Sequence, residues 1–236
     1  MLYLIGLGIE LKDLSLKALE LIKKCKTLYL ESYTSTGANL KELRQLIKKP
    51  IIVAQRDLIE DKAEEIIKEA KKQDIGILVY GDPLIATTHI NFLIEAKKLD
   101  IKIKIVHNIS IINLITETGL MLYNFGKTTS IPFDFQNIKT PLEVIKNNLK
   151  LGLHTLVLLD LDPKSNKFLS INEVLDYLKE LNKEIIACSA LGTKNQDIKY
   201  EKINELIKIS FNKFPQCIVV PGKLHFREEE ALKLWK

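Results

Sequence analysis

Residues 79–89 read VYGDPLIATTH, an apolar run cut short by Gly81-Asp82-Pro83 and followed by two threonines and a histidine. Glycine permits backbone dihedrals closed to other residues, and Pro83 fixes the dihedral that follows. Asp82 is thereby held where a strand meets solvent. An acid there can serve a ligand site or simply close a turn, and the motif alone leaves both readings open. Thr87 or Thr88 is expected to cap the helix that follows. Two other stretches carry related chemistry. Gly6-Leu7-Gly8 ends the first apolar run, where glycines let backbone N–H groups come close to a ligand. Asn108-Ile109-Ser110-Ile111 follows a run that alternates Ile and Lys, and Ser110 is placed to cap the next helix. The three motifs share one crevice if the runs before them are parallel strands of a single sheet.

Other chemistries fit less well. A dinucleotide fingerprint wants a third glycine at position 11, which is Leu11, although Glu31 could imitate the ribose-binding acid of that fold. His89, His107, His154 and His225 lie far apart without metal-ligand spacing, so no metal is expected. Cys25, Cys188 and Cys217 each fall within or beside an apolar run, without a Cys-x-x-Cys, and are expected to be buried thiols of a reducing compartment. The polar loops at 31–34 and 222–225 are expected to be solvated connections.

The elements that must hold these motifs alternate. Strands are expected at 2–7, 27–30, 51–54, 75–80 and 100–106, and helices first from a cap at Asp13 or Ser15 to near Cys25, then at 40–48, 59–72 and 90–99. Five strands separated by helices predict a parallel sheet. A helix from 111 to 118, stopped by Gly119, is followed by a change of texture. GLMLYNFGKTTSIPF is aromatic-rich and reads as strand and turn. Strands are then expected at 155–159, 184–189 and 216–220, with helices at 170–181, 203–209 and 226–235. Ser170 and Glu173 form a capping box. A domain boundary near Asn108 gives an N-terminal α/β domain over 1–108 and a C-terminal one over 109–236.

The chain has 236 residues, 46% of them apolar and 28% charged, which suits a globular protein with a sizeable core. Its net charge of +5 comes from lysines dispersed along helices, without an aromatic-interleaved basic stripe, so nucleic acid is not an expected partner. No stretch reaches the roughly 20 apolar residues of a membrane span. The first residues, MLYLIGLGIELKD, have no basic start or cleavage pattern and read as a strand. A cytoplasmic location is expected.

Six stretches together resemble the archaeal diphthine synthases, within the tetrapyrrole-methylase-like class of S-adenosylmethionine (SAM) methyltransferases. They are YLIGLGIELKDLSLKALE, ESYTS, GDPLIATTH, TGLMLYNFGKTTSIPF, GLHTLVLLDLD and VPGKLHFREEEAL. Gly-x-Gly and Gly-Asp-Pro occur across the class, whereas GDPLxATTH joined to FGK and VPGKLH is narrower. The resemblance implies two α/β domains of the tetrapyrrole methylase type, the first a parallel-rich five-stranded sheet with flanking helices and the second a mixed sheet with helices. It implies a homodimer with SAM folded in the cleft between the domains, released as S-adenosylhomocysteine. Carried over position by position, its cofactor contacts fall on Ile9, Asp82, Ile85, Ser110, Ile111, Leu159, Leu191 and Gln216, several through backbone groups. It names no catalytic residue here. The implied substrate is translation elongation factor 2, at a histidine bearing an aminocarboxypropyl group whose amine is methylated repeatedly on the way to diphthamide. Rival readings are a methyltransferase of the same fold acting on a tetrapyrrole or an RNA ribose and, from another class, a non-enzymatic dinucleotide-binding module.

Overall fold

Strands buried on both faces read as continuous apolar runs and need helices on either side. The computed structural model, which describes residues 1–37 and 39–236, has that arrangement in its first half. The chain divides into two compact units, residues 1–111 with 163–165 and residues 112–162 with 166–236.

The first unit runs β1 (Leu2–Gly6), α1 (Leu16–Lys24), β2 (Thr27–Glu31), α2 (Leu40–Ile47), β3 (Ile52–Ala54), α3 (Ala63–Glu69), β4 (Ile75–Val79), α4 (Ile90–Lys98) and β5 (Ile103–Val106). The strands stand in the order β3-β2-β4-β1-β5, and every neighbouring pair is parallel, as the alternation of strand and helix requires. The period-two geometry of a strand gives the sheet two cores. Leu2, Leu4, Ile75, Ile77 and Val79 pack with Ile66, Ile67, Phe92 and Ala96 of α3 and α4. Tyr3, Ile5, Leu28, Leu30 and Leu78 pack with Ala18, Ile22, Leu43 and Ile47 of α1 and α2. A fully buried aliphatic side chain contributes roughly 1.5–3 kcal/mol, so this double core is what fixes the strand tips. Ser15 caps α1 by accepting from the Ala18 N–H at 3.1 Å.

The first unit ends at the first residue of α5 (Ile111–Leu114), and the second holds the rest of that helix and β6 (Thr129–Ile131), α6 (Thr140–Lys150), β7 (Thr155–Leu159), β8 (Leu161–Asp162), β9 (Lys167–Phe168), α7 (Ile171–Leu178), β10 (Glu184–Ser189), β11 (Asp197–Lys202), α8 (Ile203–Leu206), β12 (Gln216–Val220) and α9 (Phe226–Leu232). Its five-stranded sheet has the order β11-β10-β12-β7-β6 and is mixed. Only β6 and β7 are parallel, and β8 and β9 form a separate hairpin. Ser170 and Glu173 form the expected capping box on α7.

Several expected helices are shorter than read. The 59–72 segment opens with a wide π-helical turn, Asp57–Asp61, and α3 ends at Glu69. Lys71 and Lys72 close it with tight bonds to Lys68 O and Glu69 O, as exposed helix ends do. In the same way α8 ends at Leu206, Ile115–Thr118 tightens after α5, and Lys233–Trp235 tightens after α9. α6, β11 and the β8–β9 hairpin lie outside the expected elements. α6 starts with Pro141 in its first turn, a position that tolerates the missing N–H, and buries Leu142, Ile145 and Asn148 on one face.

Candidate functional site

In a parallel sheet the strand ends line up, and β4, β1 and β5 are neighbours. The motifs that follow them therefore meet. Gly8 and Gly81 pair across the gap, with Gly81 N–H donating to Gly8 O at 2.8 Å and Gly8 N–H to Gly81 O at 3.2 Å. Both have φ near +75°, in the left-handed region that glycine enters freely. Gly6 is needed for space. A Cβ there would stand 2.7 Å from Gly81 O, 2.9 Å from Asn108 Cβ and 3.1 Å from Pro83 Cδ.

Asp82 is 5% exposed and both of its carboxylate oxygens are engaged. Oδ1 accepts from the Leu84 N–H at 2.9 Å. Oδ2 accepts from the Asn108 N–H at 3.1 Å and lies 2.9 Å from His107 Nδ1, which carries the proton in that contact. Asn108 donates through Nδ2 to Gly6 O and to Asp13 O, both at 3.0 Å. Asp13 Oδ2 in turn accepts from the N–H groups of Ile9 at 2.8 Å and Glu10 at 2.7 Å. Ile9 is thus held by an acid four residues on, with its own N–H occupied. Ile85 is 36% exposed on the turn beyond Asp82, and Ala86 beside it has φ +56°. Ser110 is buried, and half-buried Ile111 starts α5.

The threonines do not cap α4. Its N-cap is His89, without a side-chain cap bond. Thr87 Oγ1 donates back to Pro83 O at 2.8 Å, and Thr88 Oγ1 donates to Glu60 Oε1 at 3.0 Å. The hydroxyls fasten the loop because residues 83–88 curl over themselves before the helix begins.

In the second unit Leu159, Leu191 and Gln216 gather at one end of the mixed sheet. Cys217 pairs with Leu158 and Ser189 with Gln216, which sets the end of β7, the start of β12 and the turn after β10 side by side. All three residues are buried. The Gln216 side chain is used up: Oε1 accepts from the Ile171 N–H at 2.7 Å, and Nε2 donates to Phe211 O and Lys213 O. Any ligand contact there falls to its backbone. Leu191 lies between Ala190 and Gly192, which have φ +48° and +75°. Left-handed backbone at a non-glycine residue is strained and tends to mark functional turns.

A second polar network was not legible in the sequence. Glu228 and His154 are both fully buried, with His154 Nε2 at 3.1 Å from Glu228 Oε1. His154 Nδ1 accepts from the Gly222 N–H at 2.9 Å, so its proton sits on Nε2, toward the carboxylate. Glu228 also accepts from the N–H groups of Met121 and His225, at 2.8 Å each, and from Asn124 Nδ2 at 3.2 Å. Burial would raise its pKa, but these donors outweigh burial and hold it below the ordinary value. The pair joins the segments GLMLYN, GLHT and VPGKLHFREE, and nothing local in any of them announces the others. Among the described residues no group of three or more His, Cys, Asp or Glu could hold a metal ion.

A family model described as Tetrapyrrole (Corrin/Porphyrin) Methylases matches residues 1–207. A protein of Methanococcus maripaludis strain C6 named diphthine synthase is 41% identical over 249 residues, spanning 99% of this chain and 98% of that protein. Its namesake from Methanocaldococcus jannaschii is 41% identical over 251 residues with the same coverage. A solved structure described as the crystal structure of diphthine synthase superposes with a TM-score of 0.93 at 31% identity, covering 100% of this chain and 96% of that one.

Proposed function

We propose, for a chain that belongs to the tetrapyrrole (corrin/porphyrin) methylases and within them to the diphthine synthases, that it binds SAM and methylates the aminocarboxypropyl-modified histidine of translation elongation factor 2. The observation that carries this reading is the hydrogen-bonded junction of Gly8, Gly81, Asp82 and Asn108 at the tips of β1, β4 and β5. Glycines with positive φ at Gly8 and Gly81 leave backbone open to a close ligand, as a nucleoside-bearing cofactor needs. The proposed contacts are Ile9, Asp82, Ile85, Ser110 and Ile111 in the first unit and Leu159, Leu191 and Gln216 in the second. The turns that hold Ile85 and Leu191 include the strained residues Ala86 and Ala190, which supports assigning them to a site.

SAM supplies a methyl group on a sulfonium, ready for displacement by an amine. The residues have to position two reactants, and well-held geometry is worth roughly 7–11 kcal/mol of barrier. Asp82 acts by shaping its turn, since its oxygens are already committed to Leu84, His107 and Asn108. Gln216 offers its backbone, because its side-chain amide has partners, and Ile9 offers its side chain and carbonyl, because its N–H is taken. The protein is further proposed to act in the cytoplasm as a homodimer. Among the described residues no helix is long and apolar enough to cross a membrane.

The test is transfer of label from methyl-labelled SAM to elongation factor 2 carrying the aminocarboxypropyl histidine, with unmodified factor as control. Label on the modified factor alone is expected. SAM binding without labelling would move the substrate to a tetrapyrrole or an RNA ribose. Wild-type SAM affinity and turnover in Asp82→Ala would remove Asp82 from the site.

A further inference from the structure

His107 follows β5, Asp82 follows β4, and β1 lies between those two strands. The 2.9 Å contact between His107 Nδ1 and Asp82 Oδ2 therefore spans the end of β1. That is the carboxyl end of the sheet, where open α/β folds take their ligands. A carboxylate that accepts puts the proton on Nδ1 and leaves a lone pair on Nε2. The His107 side chain is 67% exposed and that of Asp82 only 5%, so an arriving group meets the imidazole and not the acid. Among the described residues the ring pairs with no other acid. Asp13, the other carboxylate of these turns, is held by the N–H groups of Ile9 and Glu10.

The remaining histidines are placed differently. His89 and His154 are 1% and 0% exposed, so no group carried by a second protein reaches their nitrogens. His225 is exposed, but its Nδ1 accepts from the Arg227 N–H at the start of α9, and among the described residues no carboxylate pairs with its ring.

An acid that fixes one imidazole nitrogen while the other faces outward orients a general base and stabilises the imidazolium it becomes. Methylation of an amine calls for such a base. An alkyl amine at neutral pH is an ammonium without a lone pair, and after one methyl transfer it is an ammonium again. A bare carboxylate beside it would hold that charge in place. A neutral imidazole takes the proton without doing so, and histidine is the side chain that titrates nearest neutral pH.

We propose that His107 is the proton acceptor for methyl transfer, an inference that rests on the SAM and modified-histidine reading above. The substrate N–H bond breaks and its proton passes to His107 Nε2. The freed lone pair forms the N–C bond to the methyl of SAM, while the electrons of the C–S bond pass to sulfur. The exposed imidazolium returns its proton to water before the next methyl is added.

The deciding variant is His107→Asn, which keeps an N–H donor for Asp82 but has no basic nitrogen. SAM affinity by titration calorimetry is expected to stay unchanged. Single-turnover labelling of the aminocarboxypropyl-bearing factor from methyl-labelled SAM should slow roughly 100-fold or more at pH 7, and the deficit should shrink as the pH rises toward the pKa of the amine itself. Imidazole in the buffer should restore rate to His107→Ala and add nothing to wild type. Nitrogen NMR of the histidine-labelled protein without SAM should show neutral His107 protonated on Nδ1. A wild-type rate in His107→Asn, a fall in SAM affinity that accounts for its slower rate, a deficit equal at every pH, or a neutral ring protonated on Nε2 overturns this proposal alone. No labelling by the wild-type protein overturns the methylation reading, and the proposal with it.

Discussion

The Asp82 carboxylate accepts from the Asn108 backbone N–H at 3.1 Å, and that bond fastens the turn after β4 to the turn after β5. Asn108 then reaches Gly6 O at the end of β1 through its side-chain amide, and Gly8 closes the circuit by pairing with Gly81. Three strand tips are joined in a ring in which each polar group satisfies another. A buried acid is tolerable here because donors surround it. The ring also means that no one turn can move without breaking bonds to its neighbours, which is the rigidity that positional catalysis needs.

Gly6→Ala tests the ring by sterics alone. The new methyl would stand 2.7 Å from the Gly81 carbonyl oxygen, a backbone atom that cannot rotate away, and 2.9 Å from Asn108 Cβ. Overpacking of this kind costs typically about 1–3 kcal/mol, and relief must come from parting β1, β4 and β5 at their tips. The expected outcome is that loss in urea unfolding together with a roughly tenfold or greater fall in SAM affinity by titration calorimetry. Wild-type SAM binding in a destabilised Gly6→Ala would separate the ring from cofactor binding.

The loop after Asp82 gives a second test, one that distinguishes loop fastening from helix capping. Thr87 Oγ1 bonds Pro83 O within the loop, whereas Thr88 Oγ1 bonds the partly exposed Glu60. Thr87→Val should cost about 1 kcal/mol and speed amide exchange over residues 84–88 while leaving α4 unchanged. Thr88→Ala should cost less than Thr87→Val. Faster exchange throughout α4 in either variant would restore the capping role.

The strands of the parallel sheet and the meeting of the three motifs were legible because apolar runs and the parallel order of an alternating chain determine them. The partners were not. Asn108 and Gly6 are 102 residues apart and Asp82 and Asn108 are 26 apart, and only the register of finished strands brings them together. Asp13 read as a candidate cap for α1, yet its carboxylate turns back to Ile9 and Glu10 while Ser15 does the capping. α6 escaped because its buried face includes Asn148, whose amide bonds Lys127 O and Thr155 Oγ1, so hydrophobic spacing understates what the helix buries. His154 and Glu228 are separated by 74 residues, one just before an expected strand and the other in the first turn of an expected helix, and neither position points to the other.

The three thiols should be silent in the folded protein. Cys25, Cys188 and Cys217 are all buried, and Cys188 faces Cys217 across β10 and β12. Burial, helped by Asp74, pushes Cys25 up to about 11. The hydrogen bond with Cys217, and then burial, raises Cys188 well above the ordinary thiol value. Since the thiolate is the reactive form, about one Cys25 in a thousand is competent at pH 8. Ellman's reagent at pH 8 should titrate no thiol promptly in buffer and all three in guanidinium. A thiol reacting promptly in buffer would show that its cover opens.

Acid stability provides the last test, through Glu228. Its folded-state pKa lies below the ordinary 4.5: burial works to raise it, but the N–H groups of His225 and Met121, then His154 and Asn124, outweigh burial. When a carboxyl is more acidic folded than unfolded, the unfolded chain takes up the proton first as the pH falls. The stabilisation is therefore complete above the unfolded pKa and drains away as the pH drops through the folded one. Glu228→Gln replaces charge-assisted hydrogen bonds by neutral ones and leaves N–H donors of Met121 and His225 competing for a single amide oxygen, a loss of roughly 1–3 kcal/mol. At pH 7 the variant should lose about that much in urea unfolding. Between about pH 5 and pH 3 the gap to wild type should narrow, because protonated Glu228 loses the same interactions. A gap that stays constant over this range would mean that Glu228 contributes by packing and not as a charged acceptor.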